Sequence, residues 1–112
     1  MLDQFLSAKQ IKTDSESLSI WGKDWTNGFA VAPSAVVFPE TSEQVVELVN
    51  YARASRTALV PSGGRTGLSG GAVASNGEIV VSFDRMNQIL EFDQQEQRVT
   101  CQAGVITATL QD

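Results

Sequence analysis

The chain has 112 residues and a mass of 12.0 kDa, room for one small domain, which excludes a two-domain enzyme. Hydrophobic residues at 42% and charged residues at 19% are ordinary globular values, so disorder, a collagen-like repeat and a coiled coil are excluded. Eight Lys and Arg against 13 Asp and Glu give a net charge of -5, leaving no basic field to collect nucleic acid or anionic lipid.

There is no histidine in the sequence, which removes a Ser-His-Asp triad, a histidine general base and histidine metal ligands together. Cys101 is the only cysteine, so neither an intrachain disulfide nor a cysteine zinc site forms. It reads as a small apolar side chain buried in a strand, and a reducing cytoplasm is the expected compartment. No signal-type h-region opens the chain and no apolar run approaches about 18 residues, so no membrane span is expected.

In chain order, Leu2, Phe5, Leu6 and Ile11 fall at roughly helical spacing, which predicts a short amphipathic helix over residues 2–11. Residues 12–33 are punctuated by Ser15, Ser17, Ser19, Gly22, Asn27 and Gly28 and read as an ordered, irregular loop. Its aromatics Trp21, Trp25 and Phe29 are read first as pins onto the same domain, with a binding surface as the alternative. Residues 1–34 thus form an N-terminal helix and loop, and residues 35–112 the main unit.

Residues 35–38, Ala-Val-Val-Phe between Pro33 and Pro39, predict a strand buried on both faces. Thr41 with Gln44 matches a capping box, and Val45, Leu48, Val49 and Ala52 fall at i, i+3, i+4 and i+7. A helix over residues 42–54 follows, with Glu43, Glu47, Asn50 and Arg53 facing out. A second apolar strand at residues 57–60 completes a parallel strand, helix, strand unit. Later β-prone stretches at residues 78–83, 88–92 and 98–102 predict shorter, antiparallel strands, the last two as a hairpin. Residues 105–111 have helical spacing after Gly104, in a pattern that reads as a helix cut short and a domain truncated at its C-terminal end. The fold class is α+β, a small mixed sheet opening with a parallel β-α-β unit.

Directly after the second strand, Ser62-Gly63-Gly64-Arg65-Thr66-Gly67-Leu68-Ser69-Gly70-Gly71 places five glycines in the nine positions 63–71. At the carboxyl end of a buried strand, such glycines allow positive φ and let main-chain amides converge on an anion, with diphosphate the natural guest. Arg65 is the one cation nearby, so oriented amides and the hydroxyls of Ser62, Thr66 and Ser69 supply most of the stabilisation. A flexible linker is the competing reading, disfavoured by the Arg, Thr and Leu set between the glycines. Neither the Rossmann G-x-G-x-x-G nor the Walker A spacing is met, and the run contains no lysine.

The run P-S-G-G-R-T-G-L-S-G-G-A, with G-E-I-V-V-S-F-D-R-M-N and C-Q-A-G-V after it and D-W-T and V-V-F-P-E-T-S-E-Q-V before it, resembles the amino-terminal part of FAD-linked oxidases of the vanillyl-alcohol oxidase superfamily. Within that superfamily it is similar to the D-lactate dehydrogenase, glycolate oxidase D-subunit and D-2-hydroxyglutarate dehydrogenase branch. The resemblance implies a first subdomain of a flavin-binding (PCMH-type) fold, with residues 62–71 wrapping the FAD pyrophosphate and Pro39 and Gly104 lining the cofactor cleft. Relatives that bind flavin covalently often carry His where Arg65 stands, so non-covalent FAD is implied. It also implies hydride transfer from a small 2-hydroxy acid to FAD in a longer protein, with this chain alone binding flavin weakly or not at all. A non-enzymatic nucleotide or phosphate module, and an interaction domain built on the tryptophan loop, remain as alternatives. Self-association through an exposed truncated face is a further expectation.

Overall fold

The computed structural model describes residues 2–23, 31–66 and 70–111. Two short 3-10 helices, Leu2–Gln4 and Ala8–Gln10, replace the single helix expected over residues 2–11. Ser7 interrupts the run, its main-chain N–H donating to Gln10 Oε1 at 3.0 Å, and the backbone then extends into β1 (Ile11–Lys12). The apolar positions still face inward: Leu6 is buried, with Leu2, Phe5 and Ile11 packed around it.

Helix α1 (Ser15–Trp21) lies where an irregular loop was expected. The serines obscured a helix that is well specified at its ends. Asp14 caps it by accepting from the Ser17 N–H at 3.0 Å, and the Gly22 N–H closes it on Leu18 O at 3.0 Å. Gly22 has no room for a side chain, since a Cβ would stand 2.6 Å from Leu18 O and 2.7 Å from Val31 Cγ1. Leu18 and Trp21, three residues apart, form the half-buried stripe that packs against the sheet.

Strand β2 (Ala35–Val37) is buried throughout. Helix α2 (Ser42–Ser55) begins as expected, with Thr41 Oγ1 accepting from the Gln44 N–H at 3.1 Å. The second half of the box differs: Gln44 Oε1 accepts from the Glu40 N–H at 2.9 Å and from Gln10 Nε2 at 2.9 Å. Gln44 therefore ties the helix start to the N-terminal segment. Leu48 and Ala52 are buried, but Val49, expected on the inner face, is 45% exposed, because the covered stripe centres on Val45, Leu48, Tyr51 and Ala52. The helix ends on Arg56 in the left-handed conformation, φ 55.

Strand β3 (Leu59–Ser62) starts and ends two residues later than expected. Strand β4 (Ile79–Ser82) is buried at every position. The main sheet has the order β1-β2-β4-β3, with β1 antiparallel to β2 and β4 parallel to both β2 and β3. The strand, helix, strand unit exists, but β4 is inserted between its two strands, and β4 is parallel where an antiparallel strand was expected. Four consecutive buried residues suit a central strand with both faces covered, the environment of a parallel sheet. Val37, Ile79 and Val81 face α2, Leu6 and Leu48, while Val36, Val60 and Val80 face Leu18 and Trp21 of α1.

The expected hairpin is present as β5 (Ile89–Asp93) and β6 (Arg98–Cys101), antiparallel with a register shift between Ile89 and Glu91. Cys101 lies in β6 but is only half-buried. Helix α3 spans Thr107–Gln111. Among the described residues no helix is long and apolar enough to cross a membrane.

Candidate functional site

Three parallel strands end at one edge of the main sheet, and the glycine-rich segment leaves from that edge. In open α/β layers, this is where ligands bind. Ser62, last in β3, is in register with Ser82, last in β4, and both side chains are fully buried. Their environments differ. Ser82 Oγ accepts from the Asp84 N–H at 3.2 Å, whereas Ser62 Oγ has no hydrogen-bond partner among the described residues. A buried hydroxyl left without a partner costs about 1–3 kcal/mol, so the Ser62 Oγ is a polar atom that favours a hydrogen-bonding neighbour at the head of the glycine segment.

Beyond Ser62 the main chain is open. Among the described residues, a Cβ at Gly63 or Gly71 would meet nothing within 4 Å, and one at Gly64 would come within 3.3 Å of Ile106 Cδ1. Gly70 has φ 80, and Arg65 has φ 61, the left-handed region for a residue carrying a side chain. Left-handed residues beside ordinary ones turn successive N–H groups to one side, which is the geometry of an anion nest. Thr66 is exposed. Gly67, Leu68 and Ser69 lie outside the described residues, as do Trp25 and Phe29.

The Arg65 guanidinium is not free. Its Nη1 donates to Gly63 O at 3.1 Å and to both Asp84 oxygens at 3.2 and 3.4 Å, and its Cζ stands 5.4 Å over the Trp21 ring. Trp21 Nε1 donates to Asp84 Oδ2 at 2.9 Å, and Trp21 packs edge-on against Phe38 with ring centroids 5.2 Å apart. Arg85 covers Phe38 at 4.8 Å and pairs with Glu40 at 3.5 Å. Trp21 thus has the pinning role expected of the loop aromatics.

An open cleft of about 430 Å³ runs beside this cluster, lined by Arg65, Asp84, Asn87, Gly104, Val105, Ile106 and Thr109. It brings together two segments singled out in the sequence, the glycine run and Gly104. Gly104 is pressed against the end of β4, its N–H donating to Met86 O at 2.8 Å. Pro39 follows β2 at the same sheet edge, fully buried, and does not line this cleft. Sequence reasoning missed Asp84, Asn87 and Ile106. The F-D-R-M-N string contributed to the family resemblance and marked a turn but gave Asp84 no role, because Asp84 meets Arg65 across 19 residues and only through the pairing of β3 with β4.

Known proteins match both sequence and shape. The sequence profile of the FAD binding domain matches residues 33–112. D-2-hydroxyglutarate dehydrogenase of Stutzerimonas stutzeri (strain A1501) is 61% identical over 91% of this chain and 22% of its own length. The enzyme of the same name from Xanthomonas citri pv. viticola is 45% identical over 93% of this chain and 22% of its own. Glycolate oxidase subunit GlcD of Bacillus subtilis (strain 168) is 34% identical over 79% of this chain and 19% of its own. This chain therefore spans about a fifth of the length of these curated relatives. Among solved structures, an alkyldihydroxyacetonephosphate synthase superposes with a TM-score of 0.86 at 23% identity, covering 97% of this chain and 24% of that one. Substrate-bound p-cresol methylhydroxylase superposes at 0.83 and 23% identity, covering 99% and 22%. The mixed sheet is thus a fold shared with these solved structures, and the chain belongs to the FAD binding domain family.

Proposed function

We propose that residues 62–71 hold the pyrophosphate of a non-covalently bound FAD, in a protein that oxidises a small D-2-hydroxy acid. The observation that carries this reading is the buried Ser62 hydroxyl, without a partner among the described residues, set where three parallel strands end and a glycine segment open at Gly63 and Gly71 among those residues begins. The residues fit the group: an orphan donor, open main chain at Gly63 and Gly71, and left-handed turns at Arg65 and Gly70. Ser62, Gly63, Gly64, Arg65, Thr66, Gly67, Leu68, Ser69, Gly70 and Gly71 form the cradle, with Gly104 and Pro39 framing it. With the chain at -5 and Arg65 neutralised by Asp84, main-chain amides and hydroxyls carry the anion. When bound, FAD supplies a two-electron acceptor for hydride from the substrate carbon. An arginine side chain after the paired glycines offers no nucleophile for a flavin linkage, which supports the non-covalent mode.

The substrate class rests on the names of the dehydrogenase relatives. A cytoplasmic location belongs to the same reading, supported by the single half-buried Cys101, although a relative from Arabidopsis thaliana carries "mitochondrial" in its name. Self-association is part of it too: Leu90 and Phe92 are 58% and 69% exposed on the hairpin, apolar surface that a second copy would cover. The test of the cradle is an NMR titration of the 15N-labelled chain with FAD, ADP, FMN and AMP. Amide signals of Ser62, Gly63, Gly64, Arg65, Thr66 and Gly71 are expected to move with FAD and ADP at lower concentrations than with the monophosphates. Equal response to all four ligands would reject the pyrophosphate site.

A further inference from the structure

We infer that Asp84 is a positioning residue of this site: with Trp21 it latches Arg65 into its left-handed conformation, so that Arg65 shapes the loop through its main chain and its guanidinium is not a phosphate ligand. This inference rests on the cradle reading above. A non-glycine residue at φ 61 is disfavoured and persists only where its surroundings hold it. Here Asp84, Gly63 and Trp21 do the holding. One guanidinium nitrogen reaches Gly63 O and both Asp84 oxygens, at 3.1, 3.2 and 3.4 Å, and the guanidinium plane covers Trp21 at 5.4 Å. An exposed ion pair alone contributes little, but this one is half-buried, with side chains 25% and 36% exposed, and closes into a ring of contacts.

Asp84 is itself fixed. Its carboxylate accepts from Trp21 Nε1 at 2.9 Å, its N–H donates to buried Ser82 Oγ at 3.2 Å, and its carbonyl accepts from Asn87 Nδ2 at 3.1 Å. Trp21 is wedged against buried Phe38. The latch therefore connects α1, the ends of β2 and β4, and the glycine loop. It also explains why a carboxylate is tolerated beside an anion site, since Asp84 is neutralised by the residue it positions.

Two roles for Arg65 predict opposite signs. If its guanidinium bound phosphate, Asp84 would compete for it, and Asp84→Asn would free the cation, remove a repulsive charge and tighten FAD and ADP. If Asp84 positions Arg65, the same substitution releases the left-handed turn and weakens both ligands about tenfold, the usual scale of that backbone preference. The double variant Arg65→Gly with Asp84→Asn completes the test. Glycine adopts positive φ without a latch, so the double variant is expected to bind more tightly than Asp84→Asn alone. Tighter binding by Asp84→Asn, or loss of binding in the double variant while it keeps its melting temperature, would overturn the inference. A ligand-free readout stands apart from the cradle reading: the one-bond Cα–Hα coupling of Arg65 reports the sign of φ, and it is expected to shift in Asp84→Asn and in Trp21→Phe. If the unsubstituted chain binds diphosphate too weakly to titrate, this coupling decides the latch by itself, an unchanged coupling in both variants rejecting it.

Discussion

Replacing Gly104 with alanine should destabilise the chain far more than replacing the loop glycines. A Cβ at Gly104 would fall on the Phe83 carbonyl oxygen, 2.6 Å from the Phe83 carbonyl carbon and 2.9 Å from Met86 O. These are backbone atoms at the end of β4, so no side chain can swing aside. The segment must retreat, which breaks the Gly104 N–H to Met86 O bond of 2.8 Å and strains the neighbouring Gln102 N–H to Gln88 O bond of 2.9 Å. One lost hydrogen bond costs about 1 kcal/mol, and forced overpacking about 1–3 kcal/mol. The sum, about 2–4 kcal/mol, is a large share of a small domain's stability and lowers Tm by roughly 8–16 °C. Thermal melts followed by circular dichroism, with urea titrations for the free energy, measure it. Gly63→Ala and Gly71→Ala are the controls, since their added Cβ atoms meet nothing within 4 Å among the described residues; each should stay within about 0.5 kcal/mol. A Gly104→Ala variant that melts with the unsubstituted chain would refute the close approach.

Leu48→Ala removes a fully buried side chain from the α2 face of the sheet and is expected to cost about 2–5 kcal/mol in urea unfolding, with the α1 face left intact. Gly64→Val should leave the melting temperature nearly unchanged, because its Cβ meets only the end of the exposed Ile106 side chain at 3.3 Å. The same variant should abolish the FAD- and ADP-induced amide shifts by filling the open side of the loop. The Asp14 carboxyl is held below its ordinary value of 3.8, chiefly by the Ser17 main-chain N–H. Its folded pKa is depressed, so the cap stabilises α1 fully above that ordinary value and is lost as pH falls through the lower folded one. Amide exchange at Ser17 should therefore quicken in strong acid, and Asp14→Ala should remove that step.

Much of the fold could be read from local pattern because local chemistry specified it. Thr41, the spacing of Leu48 and Ala52, and the apolar runs of β2 and β4 each require one element and one degree of burial. Strand neighbours were another matter. Val36, Val60 and Val80 are equally apolar, and no letter records that β4 separates β2 from β3. Helix α1 was obscured by serines whose side chains say loop, while the specifying groups were Asp14 at one end and the Leu18 and Trp21 stripe. In the candidate site, the glycines announced themselves by composition and position. Asp84 did not, because a single carboxylate in a turn acquires its meaning only when β4 carries it opposite Arg65. The burial of Ser62 Oγ without a partner among the described residues is likewise a property of packing, invisible in the string P-S-G-G.

Strand β3 forms one outer margin of the main sheet, and Pro61 stands exposed within it. The carbonyls of Ala58 and Ser62 both bond into β4, so the alternation along a strand turns the main chain of residue 61 toward the free side. There a proline presents a ring where an amide hydrogen would otherwise await a partner. The opposite margin, β1, is two residues long. A stray extended peptide thus finds one border blocked and the other too brief to zip along, so the parallel layer is shielded from runaway ladder growth while its strand tips stay open.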